Sequence, residues 1–335
     1  MRRAHAGKAP PGFAPVPAPG LNGPMTVAHQ NADGKPASRS LSSAEIGVLL
    51  AIGAHLVWGG MAVYFGQIRY ISPIEIAVNR GVWALPIAAA VVWYMRQWGD
   101  VWRAVKNPKH LAILTLTSAL IVFNWGFYVW SIQVGRTLES SLGYFINPLL
   151  NVVMGYLFLG ERFTMPQKVA LALATVAVLI QTWALGHVPW LGLMLASTFC
   201  LYGFLRKTIP VGPTQGFLVE TAIVTPPLLV AEWVLMSRGE AHFGADAYST
   251  LMLMGCGAMT AAALILFTAS IRRIRYSTAG ILQYISPSLV FLTAVFIFGE
   301  PMSPLKLFSF VIIWTALAIF SAAAIRDDWR RRKAA

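Results

Sequence analysis

From residue 46 onward the chain alternates long apolar runs with short polar loops. The runs predict helices near 46–66, 74–95, 110–133, 138–159, 166–185, 189–205, 214–236, 249–270, 278–298 and 304–325. Nearly every run is long enough to cross roughly 30 Å of hydrocarbon as a helix. Ser72-Pro73-Ile74-Glu75 and Thr164-Met165-Pro166-Gln167 match the capping box with proline in the first turn, so Glu75 reads as a helix-cap residue. Ser303-Pro304 is a shorter start signal.

One pattern recurs. Gly143 to Glu161 reads GYFINPLLNVVMGYLFLGE, and Leu282 to Glu300, offset by 139, reads LQYISPSLVFLTAVFIFGE. Ile146, Pro148, Leu150, Gly160 and Glu161 meet Ile285, Pro287, Leu289, Gly299 and Glu300. Ser131 and Arg136 fall opposite Ser270 and Arg275, and Trp58-Gly59 resembles Tyr202-Gly203. Such self-similarity indicates two copies of one unit, 45–185 and 186–325. Five helices is an odd number, so the second copy enters the membrane from the opposite side. The expected fold class is therefore all-α integral membrane, ten transmembrane helices arranged as two inverted five-helix repeats, an organisation used by secondary transporters.

Composition agrees: of 335 residues, 57% are hydrophobic and 12% charged, against about 25% charged in soluble domains. Lysine and arginine concentrate in the tails and in the loops after the second, fourth, sixth and eighth segments, whereas Arg69, Arg136, Arg238 and Lys306 are all that the opposite loops hold. This asymmetry places both termini in the cytoplasm. It also makes the net charge of +13 mostly a topology signal, so nucleic acid is not an expected partner. Residues 1–44, with seven prolines, read as a disordered cytoplasmic tail, and 326–335 as a basic cytoplasmic tail. Cys200 and Cys256 lack metal or disulfide spacing and read as buried.

Polar residues inside the apolar runs are the candidates for function, because lipid cannot satisfy them. Ser140, Tyr144, Asn147 and Asn151 share one helix face, and Gln283, Tyr284 and Ser286 lie in the corresponding repeat stretch. Interhelical hydrogen bonding is the alternative role for both faces. Pro148 frees the carbonyl of Tyr144, and Pro287 that of Gln283, predicting kinks. Asn79 and Arg80 in the second segment and Asn124 and Tyr128 in the third complete the expected substrate pathway. Arg80 must snorkel, line a cavity or pair, and Glu139 is its expected partner. Glu75, Glu139, Glu220 and His55 are candidates for proton coupling, each with a structural alternative: cap, helix N-terminus, or packing. His242 and Asp246 read as solvated loop residues. Glu161 and Glu300, placed where the helix dipole disfavours them, read as tight-turn ion pairs or gate contacts.

No zincin, nucleophile-elbow, Walker or dinucleotide motif occurs. Neither a catalytic residue, a cofactor nor a metal is expected. The stretches SLGYFINPLLNVVMGYLFLGER and LQYISPSLVFLTAVFIFGE, with Trp58-Gly59 and ten segments, resemble the EamA branch of the drug/metabolite transporter superfamily, and within it the RarD-type permeases, over about 45–325. That resemblance implies paired five-helix units, a bacterial inner-membrane location and a central cavity lined by the first four helices of each unit. The expected function is secondary transport of a small organic metabolite or drug-like solute by alternating access, with the bilayer and the solute as partners, protons as a candidate coupling ion, and a monomeric or weakly dimeric state. A lipid flippase or scramblase, or a membrane-embedded lipid-modifying enzyme, is the alternative.

Overall fold

The computed structural model describes residues 41–299 and 304–334. The stretch 1–40, most of the expected disordered tail, and Glu300 lie outside the described residues. Among those described, the chain is helical throughout: α1 (Ser43–Gly66), α2 (Pro73–Val82), α3 (Ala84–Tyr94), α4 (Trp98–Lys106), α5 (Pro108–Gln133), α6 (Thr137–Leu159), α7 (Met165–Leu185), α8 (Trp190–Thr208), α9 (Pro213–Ser237), α10 (Ala247–Ile271), α11 (Tyr276–Leu282), α12 (Ile285–Phe296) and α13 (Pro304–Ala334).

The apolar pattern placed the long elements closely, and the differences have local causes. α1 begins inside the expected tail, because Ser42 and Glu45 form a capping box. The second run is two helices, α2 and α3, separated at Trp83; Pro86 has no N–H to bond the Val82 carbonyl. Proline acts alike at the α11–α12 junction, where Pro287 leaves Gln283 without its helical partner and the chain breaks at Gln283 and Tyr284. Pro148, its repeat counterpart, is accommodated within a continuous α6. The predicted kink is thus a helix break in one copy only. The short α4 was read as a loop; it buries Val101 and Ala104 and exposes Trp98 and Trp102, as an interfacial helix does.

Nine spans among the described residues are long and apolar enough to cross a membrane, counting α2–α3 and α11–α12 as one each. The tenth expected crossing, α8, falls short because its 19 residues end in Arg206 and Lys207.

Packing is paired. α1 packs on α10 and α12, α8 on α5 and α6, α6 crosses α11, α9 lies along α2 and α3, and α7 meets α13. Small residues permit the closest crossings. A Cβ on Gly192 of α8 would stand 2.8 Å from the Glu139 carbonyl oxygen of α6, and one on Gly143 would stand 3.0 Å from the Gly192 carbonyl oxygen. On α10, Gly257 receives the α2–α3 break, where a Cβ would meet Trp83 Cβ at 2.4 Å. Replacing Gly192 with Leu should therefore force α6 and α8 apart at a cost of about 1–3 kcal/mol, read as a lower apparent Tm of the purified protein, whereas Gly126→Leu on α5, where a Cβ meets nothing, should leave it unchanged.

Candidate functional site

Four helices bring polar and aromatic side chains to one place. Arg80 of α2 donates from Nε to Thr260 Oγ1 of α10 at 3.2 Å, and its guanidinium lies 4.6 Å from the ring centroid of Trp125 of α5. Tyr128, one turn below Trp125, meets Tyr144 of α6 edge to face with centroids 6.1 Å apart. Both tyrosines lie within electrostatic reach of Arg80. Tyr144 is 50% exposed, yet residues 142–143 and 145–148 on either side of it are buried. Its neighbours come from α2 and α5 rather than from open surface, so that exposure belongs to an internal vestibule. Arg80 and Tyr144 each lie seven residues into their helices, about 10 Å along the axis, and Trp125 lies about 12 Å before the end of α5. The vestibule is therefore about a third of the way into the span from the starts of α2 and α6 and the end of α5.

The rest of the predicted polar face closes against the second repeat stretch. Asn147 Nδ2 donates to Gln283 Oε1 at 2.6 Å, and Tyr284 donates to the Phe145 carbonyl at 3.0 Å. His55 of α1 shares a 3.1 Å hydrogen bond with Ser286 and tilts against Trp58. Asn151 sits under Gly280, whose missing side chain admits it; a Cβ there would lie 2.8 Å from Asn151 Cβ and 2.9 Å from the Pro148 carbonyl oxygen. Several groups at this seam are buried without a partner: Asn147 Oδ1, both polar atoms of Asn151, Gln283 Nε2 and His55 Nε2.

Known proteins share this chain's sequence pattern and fold. The model of the EamA-like transporter family matches residues 45–183. Protein RarD of Salmonella typhi is 41% identical over 280 residues, covering 83% of this chain and 95% of that protein. The chain belongs to the EamA-like transporter family, as a RarD-type permease. Escherichia coli Protein RarD is 38% identical, covering 86% of this chain and 97% of that one. The Chloramphenicol-sensitive protein RarD of Pseudomonas aeruginosa is 33% identical, covering 85% and 97%. A crystal structure of a further protein, 16% identical, shares the fold with a TM-score of 0.66 over 84% of this chain and 99% of that one. The protein is accordingly a bacterial multi-pass membrane transporter.

In this EamA permease the expected proton-coupling acids have occupied partners. Glu220 forms a fully buried ion pair with Arg206 Nε at 3.2 Å, off the axis of an aligned hydrogen bond, and accepts from Thr117 at 2.6 Å and Tyr202 at 3.3 Å. Arg206, counted from sequence as a loop charge, is thus an internal counter-ion, 1% exposed. The expected Arg80–Glu139 pair does not form: Glu139 pairs with Arg136 at 2.7 Å and accepts the Leu191 N–H at 3.0 Å. Nor does Glu75 fold back on its own cap. Its carboxylate accepts the N–H groups of His242 and Phe243 at 2.6 and 2.8 Å, with His242 Nδ1 at 3.0 Å. His242 is therefore a pinned residue of the α9–α10 loop, and Asp246 N-caps α10, the Ser249 hydroxyl and amide holding its carboxyl below the usual carboxylate range. Asn79 turns away from Arg80 to donate to Glu232 at 2.9 Å, an acid in an apolar run that sequence reasoning passed over. Asn124 is structural, tying α5 to the Leu195 carbonyl and Thr198 hydroxyl of α8, both at 2.8 Å.

Basic residues at the helix ends bridge neighbouring segments. Lys207 donates to the carbonyls of Ile271 and Ile274, Arg272 to those of Ile209 and Val211, and Arg275 to that of Arg162. Glu161 accepts the Tyr276 and Ser277 N–H groups at 2.6 and 3.1 Å. Its carboxylate thus answers the first turn of α11 in the other sequence repeat. Removing one member of the buried pair strands a charge, so Arg206→Met should cost about 3–5 kcal/mol in stability while the double change Arg206→Met/Glu220→Leu recovers most of it, as thermal unfolding of the purified variants would measure.

Proposed function

We propose that this permease moves a small organic solute by alternating access between two inverted five-helix units, 45–185 and 186–325, in the bacterial inner membrane with both termini cytoplasmic. The observation carrying this reading is the exchange pattern of the packing. With α8 taken as a crossing, each crossing of the first unit has a counterpart in the second, the interfacial α4 alone being unmatched, and the contacts survive the swap: α1 with α10 answers α8 with α5, α1 with α12 answers α8 with α6, while α7–α13 and α6–α11 map onto themselves. A twofold relation between the halves has that consequence. The Asn147–Gln283 bond crosses the seam beside the vestibule, so the solute pathway is the space between the units. Unpartnered buried groups at the seam cost about 1–3 kcal/mol each, which keeps the packed state from being much more stable than one in which water reaches them.

The clasped basic loops and the vestibule nearer the opposite ends of the helices favour an outward-facing conformation here. Among the acids, Glu232 is the favoured proton carrier, since it forms no ion pair among the described residues and one of its oxygens is unpartnered. The name of the Pseudomonas relative suggests drug-like solutes.

One observation favours the flippase alternative: a groove of about 590 Å³ on the α6–α7–α8 side, lined by Ile146, Val178, Leu179, Trp183 and Leu193. It would suit an acyl chain, but Arg80, the charged residue of the vestibule, is not among its lining residues. Metabolite profiling of cells with and without the gene, followed by counterflow of each hit in liposomes, tests the reading. Saturable counterflow of a water-soluble solute is expected; translocation confined to fluorescent phospholipids would instead establish the flippase. An imposed pH gradient should accelerate uptake in the wild type and not in Glu232→Gln, under a clamped membrane potential.

A further inference from the structure

The vestibule's chemistry specifies more than a small solute. Resting on the transport reading above, we propose that Arg80, Tyr128 and Tyr144 form a binding site for an anionic, planar solute, an aromatic carboxylate, with the guanidinium as its only fixed counter-charge. Three observations carry this.

The first is charge. Arg80 is a permanent cation about 10 Å inside a membrane span and forms no ion pair among the described residues. The acids on neighbouring turns are committed elsewhere: Glu75 to the loop at His242, Glu232 to Asn79, Glu139 to Arg136 and Glu220 to Arg206. An intramembrane charge is expensive unless it is paired or watered, and Arg206 displays what a scaffold arginine does here, which is to take a buried carboxylate. Arg80 instead faces the vestibule, where a solute carboxylate can supply the missing charge.

The second is geometry. Thr260 holds Nε at 3.2 Å, and the guanidinium carbon lies over the Trp125 ring, 4.6 Å from its centroid. Fixing the inner edge and one face leaves the Nη edge as the part available to a ligand, and that edge matches a carboxylate bidentately. Thr260 keeps its orientation because its own hydroxyl donates to the Cys256 carbonyl at 2.8 Å, leaving the oxygen's lone pairs toward Arg80.

The third is the donor inventory. Guanidinium and two phenols supply N–H and O–H donors, while the side-chain acceptors of Arg80, Tyr128 and Tyr144 are the two phenol oxygens. A donor-rich site selects an acceptor-rich ligand. The rings of Trp125, Tyr128 and Tyr144 add flat apolar walls, which favour a planar body over a branched or sugar-like one. The orphaned Asn147 Oδ1 lies further along the same α6 face, with the orphaned Gln283 Nε2 opposite it at the α11–α12 junction, positioned for a polar substituent at the far end.

The test uses the full-length protein in nanodiscs and a panel of aromatic carboxylates headed by 4-hydroxybenzoate, each with its uncharged amide, by isothermal titration calorimetry. At least one acid should bind saturably and its amide at least tenfold more weakly. Arg80→Lys should weaken the acid about tenfold and Arg80→Gln abolish its binding without affecting a monodisperse elution profile. Should Arg80→Gln fail to fold, Thr260→Val and Tyr128→Phe remain, and each should lower affinity several-fold. Equal binding of acid and amide, no binding by any acid of the panel, or undiminished binding in these variants overturns the proposal. Saturable counterflow of neutral solutes, unchanged in Arg80→Gln or Tyr128→Phe, would sink the anion site and leave the transport reading standing. Binding of the acid without any translocation would do the reverse.

Discussion

A polar group inside a membrane span must find its partner within the protein, and this constraint sorts the molecule into scaffold and site. Glu220 gathers Arg206, Thr117 and Tyr202, and thereby ties α5, α8 and α9 together. Asn124 meets two oxygens of α8, and Glu75 closes the α9–α10 loop over the start of α2. These partnered groups are expected to resist movement, since breaking any of them leaves a desolvated charge or amide. Satisfaction is incomplete around Asn147, Asn151 and Gln283, where α6 meets the α11–α12 junction, and Arg80 forms no ion pair among the described residues.

Small residues set how closely the halves can approach. Gly143 and Gly192 let α6 and α8 touch backbone to backbone, and Gly59 admits Leu289 of α12 against α1. Interfaces built on small residues and unpartnered amides can slide with little loss of apolar contact. The Glu161 carboxylate, bound to the first turn of α11, offers a contact with two discrete states, made or broken.

The helices were legible in the sequence because apolar runs bounded by Pro, Gly and capping residues are a local signal. Pro73, Pro108, Pro213 and Pro304 all stand at the first position of a helix. The polar stripe of α6 was equally local. Partner choice was not, since it depends on which helices meet. Arg80 and Glu139 looked complementary by position but point to α10 and α8. Arg206 counted as a loop charge until α9 was seen to bring Glu220 beside it, and His242 was unreadable before its loop was placed over Glu75. A proline's effect was also context-dependent: Pro287 breaks its helix and Pro148, braced by α11 at Gly280, does not.

The central claim is that the two halves rock about the Asn147–Gln283 seam, so that the two faces of the protein open in opposition. Cys200 and Cys256 are buried, which allows spin labels at introduced cysteines. Pulsed dipolar distances between exposed positions Met165 and Arg273 would report the basic-loop face, and those between Leu138 and Ser237 the opposite face. In nanodiscs, Glu161→Gln, which weakens the contact with α11, should lengthen the first distance and shorten the second. A change confined to one pair, or both pairs moving in the same direction, would contradict the account.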